Sequence, residues 1–234
     1  MNALLFSGGI DSIVAGHLIN ATGKLKMLIL VNYGQAVFEE QQRIMEYYAH
    51  FWGCSTRVLE VAYPEIMVRN GHDISDFGVF HEGYKPKQGF SRDSLTEDCD
   101  SLAEHPDWFW LEGRNAAFLL QASIEAIYAG CNKLTFGIQL NDPELDVGTR
   151  TNGATRGADI NPHFVKTMNE LLFQSFSKPF VIDTPLMHMS KEQVVALGRT
   201  FGEDYSNRIS CEFYPPCGIC SQCTDSQGAL DNVS

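Results

Sequence analysis

The sequence predicts an α/β fold built on a doubly wound parallel sheet, and three observations carry that reading. Short apolar runs alternate with helix-periodic segments in the order β-α-β-α-β across the first 61 residues. Helices rather than hairpin turns separate those runs, which points to parallel strands. The junction between the first strand and the first helix is Ser7-Gly8-Gly9-Ile10-Asp11-Ser12. Unpaired N–H groups and the positive end of a helix dipole meet there, so an anion is favoured. Gly8 and Gly9 permit positive φ and let a bulky anion approach the main chain. A tight strand–helix turn capped by Ser or Asp is the plainer alternative.

The elements follow in order. Ala3 to Phe6 reads as a buried strand, and residues 11–20, with Ile13, Val14, Leu18 and Ile19, suit a helix packed on the sheet. Met27–Gly34 is the second strand. Ala36–Gly53 has helix spacing, with Phe38, Ile44, Met45, Tyr48 and either Phe51 or Trp52 near one stripe. Thr56–Val61 is the third strand. Residues 62–112 are polar, rich in Gly, Asp and His, and weakly periodic; so long a loop in a compact domain is usually functional. Arg114–Gly130 is an amphipathic helix and Lys133–Ile138 the fourth strand. After a second loop, 139–161, Pro162–Phe176 is a helix with Pro at its first position, and Phe180–Leu186 is the fifth strand. Ser190 caps a further helix. A cysteine-rich segment follows, and the tail is polar. This gives one main domain over 1–205 and a small C-terminal segment, 206–234, packed on it.

Composition narrows the function. The chain has 234 residues, 44% of them hydrophobic, and a net charge of −12. It is globular and has no run of membrane-spanning length, and the acidic charge disfavours a broad surface for nucleic acid. Met1 leads directly into the first strand with no basic region, so no signal peptide is expected and the cytoplasm is favoured. Of seven cysteines, Cys54, Cys99 and Cys131 are scattered, whereas Cys211, Cys217, Cys220 and Cys223 cluster. Four thiolates close a tetrahedral zinc shell and leave no open position, so Zn²⁺ with a structural role is the reading taken. Unligated thiols and an iron–sulfur cluster are the alternatives.

Ligands of open α/β sheets bind beyond the carboxyl ends of the strands. The Ser-Gly-Gly loop, Asn32-Tyr33-Gly34-Gln35, the loop after strand four and Thr184–Lys191 all fall on that edge. The loop lacks the G-x-x-x-x-G-K-[ST] of nucleoside triphosphatases and the G-x-G-x-x-G of dinucleotide folds. Ser-Gly-Gly-x-Asp-Ser instead resembles the PP-loop of ATP pyrophosphatases. More of the chain resembles the QueC family of 7-cyano-7-deazaguanine synthases. The matching pieces are LLFSGGIDS, NYGQ, GRNAAFL (Gly113–Leu119), TFGI, TPLMHMSKEQVVALG and SCEFYPPCGICSQC.

That resemblance implies ATP-dependent adenylation of 7-carboxy-7-deazaguanine, attack by ammonia to give the amide, and a second activation to give the nitrile. It implies that Ser7, Gly8, Gly9, Asp11 and Ser12 hold pyrophosphate with Mg²⁺, that Lys191 neutralises phosphate charge, and that Arg114 and Asn115 stand near ATP or the substrate carboxylate. Asp11, Lys191 and Arg114 are the implied catalytic residues. Asp159 is placed to read a guanine-like N–H edge, with Phe164 beside it. A homodimer is implied as well.

The chain also departs from the family. Gly157, Ala158 and Ile160 replace the Tyr, Pro and Cys of the base-reading motif, the loop before them is longer, and the first cysteine gap is shorter. These departures lie on the acceptor side. They raise a second reading, an anti-phage enzyme of the QatC or type IV CBASS kind that joins the activated deazaguanine to a protein amine. Two others are a non-catalytic nucleotide sensor and a tRNA sulfurtransferase-type enzyme; the acidic charge gives the latter no support.

Overall fold

A computed structural model describes residues 1–35, 37–61, 113–139, 159–211, 216, 218 and 221–233. Among them, five strands form one parallel sheet: β1 (Asn2–Leu5), β2 (Leu25–Asn32), β3 (Ser55–Glu60), β4 (Lys133–Phe136) and β5 (Val181–Asp183), in the spatial order β3-β2-β1-β4-β5. The helices are α1 (Ile10–Ala21), α2 (Phe38–Trp52), α3 (Arg114–Tyr128), α4 (Pro162–Ser175), α5 (Lys191–Thr200) and α6 (Ser221–Asn232). The order runs outward from β1 to β3, then returns to β4 on the other side of β1. The switch point therefore lies between β1 and β4.

Alternation along the strands builds two apolar layers. Leu4, Leu28 and Leu30 face one way and pack with Ile13 and Val14 of α1, Ile44 and Tyr48 of α2, Val194 and Val195 of α5, and Ala229 and Leu230 of α6. Ala3, Met27 and Ile29 face the other way, against Leu119 and Ala122 of α3 and Val165, Met168 and Leu172 of α4. Strands covered on both faces explain why the sequence shows continuous apolar runs there.

Local chemistry sets the ends of these elements. The α2 stripe takes Trp52, which is buried, and leaves Phe51 exposed. The reason is space: the Trp52 ring lies against Gly16 of α1, where any Cβ would overlap it. Helix α4 starts at Pro162 because Asn161 accepts from the Phe164 N–H at 2.8 Å. Helix α5 carries a full capping box between Ser190 and Gln193.

Two elements differ from expectation. β5 stops at Asp183 because the chain turns at once, with the Met187 N–H donating to Thr184 O, and Pro185 has no N–H to give the ladder. The polar tail contains α6, packed on α5 through Ala229 and Leu230. The loop assigned to 62–112, most of that assigned to 139–161, and Cys217 and Cys220 lie outside the described residues.

Candidate functional site

The site begins at the carboxyl end of β1. Gly8 adopts φ +76°, a conformation open to glycine, and turns the chain into α1. Gly9 is the N-cap, is extended, and provides no side-chain cap for α1. The first amides of α1 are thus left for an anion rather than for the protein's own side chains. The loop is held from within and without. Ser12 Oγ donates to Gly9 O at 2.9 Å, while the Ile209 N–H donates to Gly8 O at 2.9 Å. Gly137, just past β4, lies so near the start of α1 that a Cβ there would sit 2.7 Å from Asp11 O.

A cavity of about 360 Å³ opens beyond the carboxyl ends of β1, β2 and β4, at the switch point. The loop contributes Ser7, Gly9, Asp11 and Ser12; α3 contributes Arg114 and Asn115; α5 contributes Lys191. Lys191 Nζ donates to both carboxylate oxygens of Asp11, at 2.9 and 2.8 Å. Phe6, Leu30, Val31 and Ile209 line an apolar part of the wall, suited to a flat ring. Asp11, Lys191 and Gln139 form a polar part, suited to phosphates and reaction.

The structure does not bring every candidate to this cavity. Phe164 packs at the edge of the α3/α4 apolar layer and is absent from the wall. Asp159 is 9% exposed, and its Oδ2 accepts the Asn115 N–H at 3.3 Å, satisfying the start of α3. Its neighbour Ile160 lines the cavity instead. The Asp159 Oδ1 is buried with no hydrogen-bond partner among the described residues. Burial pushes its carboxyl above the ordinary range, against the opposing pull of the Asn115 N–H and the Arg114 charge.

The wall also takes residues to which the sequence motifs assign no individual role. Gln35 is buried; its Oε1 accepts the Tyr33 N–H, and its Nε2 donates to Val31 O and Gln41 Oε1, so it fixes the turn after β2. It stands in the NYGQ motif, which was the available signal. Gln139 follows directly on TFGI and is also buried. Ser210, Gln222, Asp225 and Ser226, beside the expected ligand Cys211, come from the C-terminal segment and α6, where no periodicity pointed to a helix.

Of the proposed zinc ligands, Cys211 is buried on the cavity wall and Cys223 lies on α6, half-buried. Burial lowers the pKa of Arg208, and the nearby Cys223 sulfur pulls it back up, so a cation stands beside that thiol. Among the described residues, no group of three or more His, Cys, Asp or Glu side chains gathers to hold a metal. No helix described is long and apolar enough to cross a membrane.

The whole chain has relatives. Residues 2–234 match the family model described as queuosine biosynthesis protein QueC. Proteins named 7-cyano-7-deazaguanine synthase align over most of their length and most of this chain. That of Rickettsia felis is 24% identical, covering 94% of this chain and 89% of its own. The Methanothrix thermoacetophila protein is 27% identical, covering 94% and 88%. The Marinobacter nauticus protein is 25% identical, covering 95% and 88%. Among solved structures, a predicted subunit of tRNA methyltransferase from Methanocaldococcus jannaschii aligns with TM-score 0.41 at 15% identity, over 85% of this chain and 73% of that one. That likeness is too distant to inform the site. An α1 N-terminus left open behind Gly8 and Gly9, a lysine returning from α5 to face it, and a family match from end to end converge: the chain belongs to the QueC family.

Proposed function

We propose that this protein is an ATP-dependent ligase that converts 7-carboxy-7-deazaguanine to its amide and then to 7-cyano-7-deazaguanine, releasing AMP and pyrophosphate. One observation carries the reading: the uncapped start of α1, with the Lys191–Asp11 pair at its mouth, in a chain of the QueC family. A carboxylate oxygen is a poor leaving group and AMP a good one, so adenylation makes the carbon reactive. Ser7, Gly8, Gly9 and Ser12 would take the pyrophosphate, and Lys191 would leave Asp11 to meet the phosphate charge. Once Lys191 has moved, the Asp11 carboxylate would help hold Mg²⁺, which would neutralise phosphate charge. Arg114 and Asn115 border the same cavity and would hold the substrate carboxylate. Asp159 would act from behind the wall, holding the Asn115 N–H so that Arg114 and Asn115 face the base, with Phe164 supporting that segment from the apolar layer.

Cys211, Cys217, Cys220 and Cys223 would hold Zn²⁺ as a closed structural site. The supporting observation is the Cys217-x2-Cys220-x2-Cys223 spacing with Cys211 just before it. Metal analysis of the purified protein should give one zinc per chain, reduced in C223S. The exposed apolar residues Ile124 and Tyr128 of α3 and Leu171 and Phe173 of α4 support a homodimer.

Incubation with ATP, Mg²⁺, 7-carboxy-7-deazaguanine and ammonium, followed by mass spectrometry, tests the reading. AMP with the nitrile is the expected result. AMP with only the amide, or an adenylate that waits, would shift the nucleophile to a protein amine.

A further inference from the structure

We infer that Gln139 receives the nitrogen nucleophile, and that a second cavity is its route to the reacting carbon; this rests on the function proposed above. Gln139 stands just past β4 and is 6% exposed, and its Oε1 is buried with no hydrogen-bond partner among the described residues. A buried carbonyl oxygen left unpaired is costly, and such atoms in folded proteins nearly always have a donor. Gln139 lines the ATP cavity and also a second cavity of about 690 Å³, between the start of α5 and α6. Lys191 and Asp225 line both as well. The two spaces therefore meet at the polar part of the wall, where the phosphates would lie.

The chemistry calls for a second approach. ATP and the deazaguanine must fill the first cavity together, and both bring their rings to its apolar wall. A third reactant then needs another way in. The second cavity offers the carboxylates of Glu192 and Asp225, while the charge of Lys191 on the same wall is met by Asp11, so the lining attracts a small cation such as ammonium. Ammonium gives one proton to water on the way. The nitrogen lone pair then bonds to the acyl carbon, the carbon–oxygen bond to AMP breaks, AMP leaves as its dianion, and the nitrogen sheds one further proton. Gln139 Oε1 accepts an N–H throughout, which aims the lone pair away from itself. It acts by binding and orienting. A side chain reading a ring amine would serve the apolar part of the wall, whereas Gln139 stands at the junction of the two cavities.

Two variants test this. Q139L removes the acceptor. G228L fills the second cavity from α6, since a Cβ at Gly228 meets nothing within 4 Å. The measurements are ammonium KM and kcat with saturating ATP and base, and ATP–pyrophosphate exchange driven by 7-carboxy-7-deazaguanine, which needs no amine. Q139L is expected to cut kcat/KM for ammonium at least about tenfold more than it cuts exchange. G228L is expected to raise the ammonium KM several-fold with exchange unchanged. A Q139L enzyme whose KM rises for ATP or base instead would overturn the inference. So would ammonium parameters within twofold of wild type in both variants. Absence of exchange in the wild type would overturn the proposed function and this inference together, whereas normal wild-type exchange with unmoved ammonium parameters would overturn this inference alone.

Discussion

Replacing Gly137 with alanine would disturb the phosphate loop while leaving every residue of that loop in place. The backbone at Gly137 does not have positive φ, so alanine fits its conformation and the effect is steric. The added Cβ would stand 2.7 Å from Asp11 O, 2.9 Å from its carbonyl carbon and 3.0 Å from Ser12 N. Ordinary contact needs ~3.5 Å, so the start of α1 or the end of β4 must give by about 0.8 Å. The opposing atoms are backbone, so no side chain can swing aside. Overpacking of this kind costs about 1–3 kcal/mol, or a melting shift of roughly 2–12 °C in a domain of this size. Displacing a reacting group by about 1 Å can cost ~100-fold in rate. G137A is therefore expected to fold, melt lower, and lose about two orders of magnitude in ATP–pyrophosphate exchange. Exchange within twofold of wild type and an unchanged melt would refute the claim that Gly137 sets the position of α1.

Other expectations follow from the same geometry. K191M should slow AMP release by about 10²–10³-fold, as removal of one preorganised charge-stabilising donor does, and K191R should restore part of it; release from K191M at the wild-type rate would remove Lys191 from the chemistry. Because burial raises the Asp159 pKa, its ionisation opposes folding, and stability falls as pH rises from the unfolded carboxylate value to the folded one. D159N should therefore melt no lower than wild type at pH 7 while raising the KM for the deazaguanine, a split visible by calorimetry and steady-state kinetics. Glu203 behaves in the opposite sense. Burial pushes its pKa up, but hydrogen bonds from the side chains of His17 and Tyr48 and from the Tyr205 N–H outweigh it and hold the value low. Its contribution is complete above the unfolded carboxylate value of about 4.3 and is lost as pH falls through the lower folded value. E203Q should cost about 1–3 kcal/mol at pH 7, and urea titrations should show that gap closing in acid.

The middle of the sheet was legible because β2 is buried on both faces, so Leu28–Val31 stands out as an unbroken apolar run. The Ser7–Ser12 turn between β1 and α1 was legible because its glycines and hydroxyls act locally, within six residues of one another. Helix α6 was not. Its sequence, SQCTDSQGALDN, offers few apolar side chains, and Ala229 and Leu230 become a core face only because α5 lies beneath them. The link from Asp159 to α3 was equally hidden, since its partner Asn115 lies across a long stretch of chain and no spacing rule joins them. Pro185 could have shortened β5 on inspection, because a proline cannot extend a ladder on its N–H side.

The hydrogen bond from Ile209 to Gly8 joins segments about 200 residues apart at the loop proposed to hold pyrophosphate. Synthesis therefore delivers the loop first and its brace last. β1 itself stays an unpaired edge toward β4 until Lys133–Phe136 have been made. A contact so distant in sequence forms late, after the entropy of the intervening chain has been spent. A ribosome-bound fragment would carry SGGIDS without the support that shapes it, and the loop would reach its folded form only after Ile209 has been made.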